Sequence, residues 1–111
     1  MTRLTKPPKS ALLIIDVQQS FMRMPYWSSG QLAPFQQALL KLEAGCRAAD
    51  VPVVHIFHID NDGPFRADSG LIQPMDWLPG HPAARFDKHV HNAFTDTGLD
   101  VWLRRQGVQR L

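Results

Sequence analysis

The sequence predicts an α/β fold with a parallel sheet, and three observations carry that expectation. "ALLIIDVQQSF" opens with an aliphatic run that lacks polar alternation, as a strand buried on both faces does. From Pro34 the apolar residues switch to helical spacing. "VPVVHIFHI" follows at once and is rich in β-branched residues. Strand, helix, strand at this spacing is a βαβ unit, whose crossover is almost always right-handed.

The elements follow in order. Thr2 to Lys9 is a polar, proline-containing lead-in, and residues 11–17 form the first strand. An ionised Asp16 is costly inside such a strand, so it belongs at the exit, delivered either to a site or to solvent. Gln18 to Gly30 reads as a loop punctuated by Pro25, Ser28, Ser29 and Gly30. In the helix that follows, Phe35, Ala38, Leu39, Leu42, Cys46 and Ala49 share one face, predicted to pack on the sheet. Gln36, Lys41, Glu43 and Arg47 fall largely off that face. The helix should end near Asp50, because Pro52 disfavours helical geometry at Val51.

After the second strand, residues 60–82 hold three glycines and four prolines, too long a span for a simple connector, and read as a loop over the strand ends. "ARFDKHVH" resembles a short strand. Thr97 is a plausible N-cap with Asp100 three residues on, an imperfect capping box. Leu99, Trp102 and Leu103 supply the stripe of a second helix, and Gly107 suits its C-terminal glycine. "VQRL" begins what looks like another strand.

Composition narrows the function classes. At 111 residues the chain is one domain at most, short for a parallel sheet covered on both faces. The 44% hydrophobic and 20% charged content is that of an ordinary globular protein. No apolar run has the length of a membrane span and the start has no signal-peptide character, so the expectation is a cytoplasmic protein with no membrane partner. Net charge is +2, and Arg3, Lys6, Lys9, Arg104, Arg105 and Arg110 form no stripe with interleaved aromatics, so no nucleic-acid partner is expected. The single cysteine, Cys46, excludes an internal disulfide and a zinc site built on several thiolates. No dinucleotide or phosphate-loop pattern follows a strand, so no cofactor is expected.

"ALLIIDVQQSF", "GPFRADSGLIQP" and "FDKHVHNAFTDTGLDVWLRRQGVQRL" together resemble the isochorismatase-like cysteine hydrolase family over nearly the whole chain. The combination is an aliphatic strand ending in Asp, then a Lys before an "AF" pair and a "T.L" helix start. The resemblance implies a three-layer α/β/α sandwich around a mostly parallel, Rossmann-like sheet, of which residues 1–111 would be the first half, incomplete at the C-terminus. It also implies an Asp, Lys and Cys triad acting on a small-molecule substrate. Asp16 matches the general base and Lys88 the cation; Phe21 and Phe94 match aromatics near the pocket. Trp77 either closes over that pocket or packs its loop onto the body.

The chemistry asks for those residue types. A thiol attacks as thiolate, so a carboxylate that accepts its proton and an ammonium that favours the anion both activate it. The family's cysteine lies beyond the next strand, past Leu111, and Cys46 on the apolar helix stripe reads as an inert core thiol. Taken alone, Asp16 also fits a strand-end turn cap and Lys88 a solvated lysine. His55 and His58, with Asp60 and Asp62, and separately His89 and His91, invite a metal reading. The stretch "HIFHIDNDGPF" lacks the tight Asp-x-His arrangement of metal-bearing nicotinamidase relatives, so no metal is expected.

The leading expectation is a hydrolase of small amides, imides or related C–N compounds. Two alternatives stand beside it: a cysteine-independent isochorismatase-type vinyl-ether hydrolase, and an inactive fragment or interaction module completed by another chain. If the family order holds, the first strand lacks its outer neighbour, which predicts a homo-oligomer or association with a chain supplying the missing half.

Overall fold

The computed structural model of the protein describes residues 9–111; Arg3, Lys6 and most of the polar lead-in lie outside the described residues. Three strands form one sheet in sequence order, β1 (Leu12–Ile15), β2 (Val53–His58) and β3 (Ala84–Lys88). Both pairings are parallel, with Leu12 opposite Val53 and Val54 opposite Ala84 at the two starts. The helices are α1 (Leu32–Ala48), between β1 and β2, and α2 (Leu99–Arg105), after β3. Among the described residues no helix is long and apolar enough to cross a membrane.

Side chains alternate across each strand, so the sheet feeds two cores. On the α2 side Val54 and Ile56 meet Ala93, Leu99 and Leu103, with Leu13 and Phe86 packed against them. On the α1 side Ile14 and Val53 meet Val17, Met75 and Leu78, backed by Leu32, Leu39, Cys46 and Trp77. Burial of one such aliphatic side chain contributes about 1.5–3 kcal/mol. β2 runs from 2% exposure at Val53 to 2% at Phe57, which makes it the central element and explains its lack of polar alternation.

The helix face differs from the one the sequence predicts. Leu32, Leu39, Glu43 and Cys46 face the core or are buried, while Leu42 is 52% and Phe35 48% exposed, and Ala38 and Ala49 are exposed too. The physical reason is Glu43, only 3% exposed: its carboxylate accepts from the Arg47 guanidinium one turn on, which also donates to the His81 carbonyl. That pairing makes a charged residue compatible with the inner stripe and rotates the helix towards Leu32. Pro34 sits in the first turn, where its missing N–H has no helical partner to lose.

Both helices close as expected of their sequences. Gly107, with φ 70°, lets Val108 N–H reach the Leu103 carbonyl at 3.0 Å in a Schellman arrangement. At the start of α2 the cap position is Gly98 rather than the expected Thr97, whose Oγ1, one residue earlier, still accepts from Leu99 N at 3.2 Å. At the end of α1 the left-handed position is held by Asp50, and Val51 N–H reaches the Cys46 carbonyl at 2.8 Å.

Residues 60–82 are a packed loop. Ile72, Met75 and Leu78 are buried, and Gln19 N donates to the Gln73 carbonyl at 2.9 Å. Beyond β1 on its outer side, Ala11 N donates to the Arg110 carbonyl at 3.0 Å, a parallel bridge between Ser10 and Arg110. The chain thus returns to the outer edge of β1 after running β1, β2, β3 in the other direction. In open α/β sheets that reversal is where ligand crevices form, outside the carboxyl ends of the strands.

Candidate active site

The three strands end their apolar runs at the same level, and each then presents a polar side chain. Asp16 leaves β1 with φ 64°, a left-handed conformation that costs a non-glycine residue about 1 kcal/mol. Its N–H still donates to Ile56 O at 2.9 Å, so the backbone is pinned to β2 while the side chain turns outward. His58 and Lys88 are the last residues of β2 and β3 and stand opposite each other in register.

The register brings three groups together. Asp16 Oδ1 lies 3.3 Å from Lys88 Nζ, with the carboxylate side chain a third exposed and the lysine side chain 3% exposed. Oδ1 is buried and makes no hydrogen bond, so its contact with Lys88 is an ion pair. Lys88 Nζ lies 3.1 Å from His58 Nδ1. An ammonium this buried is favourable only beside such partners. Burial, and then the Lys88 ammonium, hold the His58 imidazole below its usual pKa, against the smaller opposing pull of Asp16 and Asp60; His91 adds to the lowering.

Asp16, His58 and Lys88 open on a cavity of about 400 Å³, walled on its apolar side by Phe21, Met24, Pro64 and Phe65. Phe21 meets Phe65 edge to face at 4.8 Å, which joins the turn after β1 to the one after β2. A carboxylate able to take a proton and an ammonium able to stabilise a developing anion therefore share one partly apolar cleft, where both act more strongly than in water.

Of the five residues singled out in the sequence, Asp16, Lys88 and Phe21 meet at this cavity, and Trp77 and Phe94 do not. Trp77 packs in the α1-side core with its ring edge-on to Phe35 at 6.0 Å. Its loop is tied down by Gln19 and Ser20, so the ring is spent on packing rather than on closing the cleft. Phe94, 44% exposed, borders a separate depression with Leu103 and Val108, because the turn after β3 carries it to the α2 side. Cys46 lines neither depression and stays with Leu39 in the core.

Two residues at the site, Phe65 and Gln18, were not picked out from sequence, and His58 was weighed there only as a metal ligand. His58 had a legible signal: "VVHIFH" and "ARFDK" end their runs at His58 and Lys88, so in-register parallel pairing juxtaposes them. Phe65 had none, because its place depends on the turn at Gly63–Phe65. Gln18, fully buried, accepts from His58 N at 2.7 Å and donates to His58 O at 2.9 Å, extending the ladder with a side-chain amide. Among the described residues no three His, Cys, Asp or Glu side chains converge at metal-binding spacing.

Comparison with known proteins bears on the family and the fold. The model of the isochorismatase domain matches residues 10–111. The chain belongs to the isochorismatase family. An isochorismatase-family protein from Oleispira antarctica is 28% identical, with a TM-score of 0.74 over 96% of this chain and 60% of its own. One from Chromobacterium violaceum is 27% identical, with a TM-score of 0.73 over 93% of this chain and 57% of its own. N-carbamoylsarcosine amidase from Thermoplasma acidophilum shares the fold, with 20% identity and a TM-score of 0.71 over 90% of this chain and 63% of its own. The chain thus spans less than two thirds of the length of each. The three parallel strands with their helices correspond to part of the α/β fold of that family.

Proposed function

We propose that this chain carries the base and the cation of a hydrolase that cleaves the C–N bond of a small amide, imide or related compound. The observation that carries the reading is the 3.3 Å approach of Asp16 to a buried Lys88 at a part-apolar cavity, at the carboxyl end of a parallel sheet. A fold neighbour that is an amidase of an N-carbamoyl compound is consistent with it.

Asp16 takes the proton of a cysteine thiol supplied from outside residues 1–111, and Lys88 stabilises the thiolate. The thiolate adds to the substrate carbonyl, and Lys88 then faces the developing oxyanion. Collapse expels the amine, which takes up the proton held by Asp16 and leaves a thioester; water attacks that ester and returns the thiol. Phe21 and Phe65 would pack on the apolar part of the substrate.

The test measures ammonia or amine release from primary amides, N-carbamoyl compounds and cyclic imides. It is run on the 111-residue chain and on the longest natural polypeptide containing it. Turnover with a mass-detected acyl adduct, lost on Asp16→Asn, supports the reading. Turnover indifferent to both Asp16→Asn and Lys88→Met would overturn it.

A second reading is favoured by the outer edge of β1, which among the described residues is paired only at its start, leaving Ile15 44% exposed. Such an edge invites another strand, and the chain on its own would then be a module completed by a second copy or another chain. Sedimentation velocity showing a dimer or larger species, returned to monomer by Ile15→Lys, supports association through that edge. A well-behaved monomer opposes it.

A further inference from the structure

We propose that His58 is a positioning residue for Lys88: its imidazole Nδ1 accepts one Nζ proton and so fixes the ammonium between Asp16 and the cavity. The inference rests on the hydrolase reading for the meaning of Lys88 as a working cation, but its geometry stands independently.

Lys88 sits at the end of β3 with its Nζ almost out of water, and a lysine side chain has rotatable donors with no preferred fork. Asp16 alone leaves the ammonium free to swing about one contact. The second contact, 3.1 Å to His58 Nδ1, adds the hydrogen bond that the 3.3 Å ion pair with Asp16 does not make, and so sets the direction of the ammonium. The contact requires the imidazole to be neutral with its proton on Nε2, because a protonated ring offers Nδ1 as a donor and places a second positive charge on Lys88.

The surroundings enforce that state. The groups that face His58 are Lys88 on β3, Asp16 beyond β1, Asp60 on the turn after β2, and His91 beyond β3. The His91 ring stacks on His58 with centroids 6.3 Å apart and planes 5° from parallel, and Phe65 meets it edge-on at 5.9 Å. The His58 backbone is held on both sides by the buried Gln18 amide, so the ring is aimed by a fixed main chain rather than a mobile turn. Lowered basicity of the imidazole fits a ring kept neutral for this task.

The consequence is an acid limit on activity. As pH falls and His58 gains its proton, Lys88 loses an acceptor and meets a like charge. That limit would follow the titration of His58.

The deciding test needs no substrate: nitrogen-15 NMR of the histidine rings in the unmodified chain. A single tautomer with bare Nδ1 at His58 is expected, and its preference should collapse in Lys88→Met. The His58 titration should move up in Lys88→Met, where a positive neighbour is removed, and down in Asp16→Asn, where a negative one is removed. A proton on Nδ1 in the unmodified chain, or a titration unmoved by either variant, overturns the proposal.

Where the natural polypeptide turns over an amide, His58→Phe should lower kcat by about tenfold to a hundredfold with KM little changed, since a group misplaced by about 1 Å can cost up to about a hundredfold. His58→Asn, whose amide oxygen can stand near the Nδ1 position, should recover most of kcat and shift the acid limit. Equal loss in both variants, with no change in pH profile, assigns His58 to packing alone. Failure of every amide substrate leaves the NMR outcomes unaffected and counts only against the hydrolase reading.

Discussion

The two ends of the sheet carry the same chemical cast in different arrangements. At the carboxyl end stand Asp16, Lys88 and His58; towards the other end stand Glu43, Arg47 and His55. In the first group each residue comes from the exit of a different strand. In the second, the carboxylate and its cation lie one turn apart on a single helix. The carboxyl-end carboxylate is a third exposed and opens on a cavity. Glu43 is consumed by Arg47, and neither Glu43 nor His55 lines the depression of about 370 Å³ at that end. Long-range convergence leaves binding capacity unspent, whereas a neighbouring pair on one helix uses it up locally.

The largest expected effect is on turnover. In the natural polypeptide Lys88→Met or Asp16→Asn should lower it by at least about a hundredfold, since each removes a group acting on the reacting atoms. Glu43→Gln should leave steady-state rates within about twofold, because its partners lie on α1. Equal losses at both ends would erase the distinction.

The order should reverse for folding. Glu43→Gln leaves Arg47 without its ion partner and buries an amide, costing about 1–3 kcal/mol in urea unfolding. Lys88→Met removes a buried cation and leaves Asp16, a third exposed and able to reach water, so it should cost less. A Lys88→Met variant that unfolds more readily than Glu43→Gln would show that the carboxyl-end pair is structural.

Both ends contribute to acid sensitivity. Burial first, then Arg47 and, more weakly, Arg85, hold His55 below 6.5 against Glu43; burial and Lys88 hold His58 below 6.5. In the window between the folded values and 6.5 the unfolded chain binds protons that the folded chain refuses. Stability therefore falls as pH drops through that window and levels off beneath it. Urea midpoints measured at about pH 8 and about pH 5 should differ less in His55→Leu than in the parent chain. An unchanged difference would place the sensitivity at His58 and the carboxylates.

The smallest effect compares two aspartates in left-handed backbone, Asp16 with φ 64° and Asp50 with φ 57°. Asp50→Gly should stabilise by about 0.5–1 kcal/mol, because glycine takes that helix-ending position without strain. Asp16→Gly should not, since relief of strain is offset by leaving buried Lys88 unpaired. Thermal midpoints moving together would contradict the assignment.

Much of the frame was legible in the chain. The parallel βαβ order follows from unalternated aliphatic runs flanking a helical period, and the strand-exit position of Asp16 follows from the cost of burying a charge. The inward face of α1 was misread because the sequence shows Glu43 as polar without showing that Arg47 neutralises it one turn away. Phe94 was placed at the pocket and Trp77 left between two placements because an aromatic ring in a loop satisfies several packings equally, and only tertiary contacts with Leu103 and Phe35 decide between them. His58 required the register of two strands, a relation between segments that no local window contains.

The bridge between Ser10 and Arg110, tied also by their side chains at 3.3 Å, joins residues 100 apart. On a ribosome, which delivers the polypeptide from its amino end, β1 emerges well before its outer neighbour. While residues 109 and 110 remain in the exit tunnel, the amide of Ala11 has no carbonyl to meet, although β2 can already dock on the other flank. Contacts of such sequence separation form slowly and expose sticky intermediates. Nascent-chain lifetime, and the chaperones that guard it, thus become part of how this sheet is assembled.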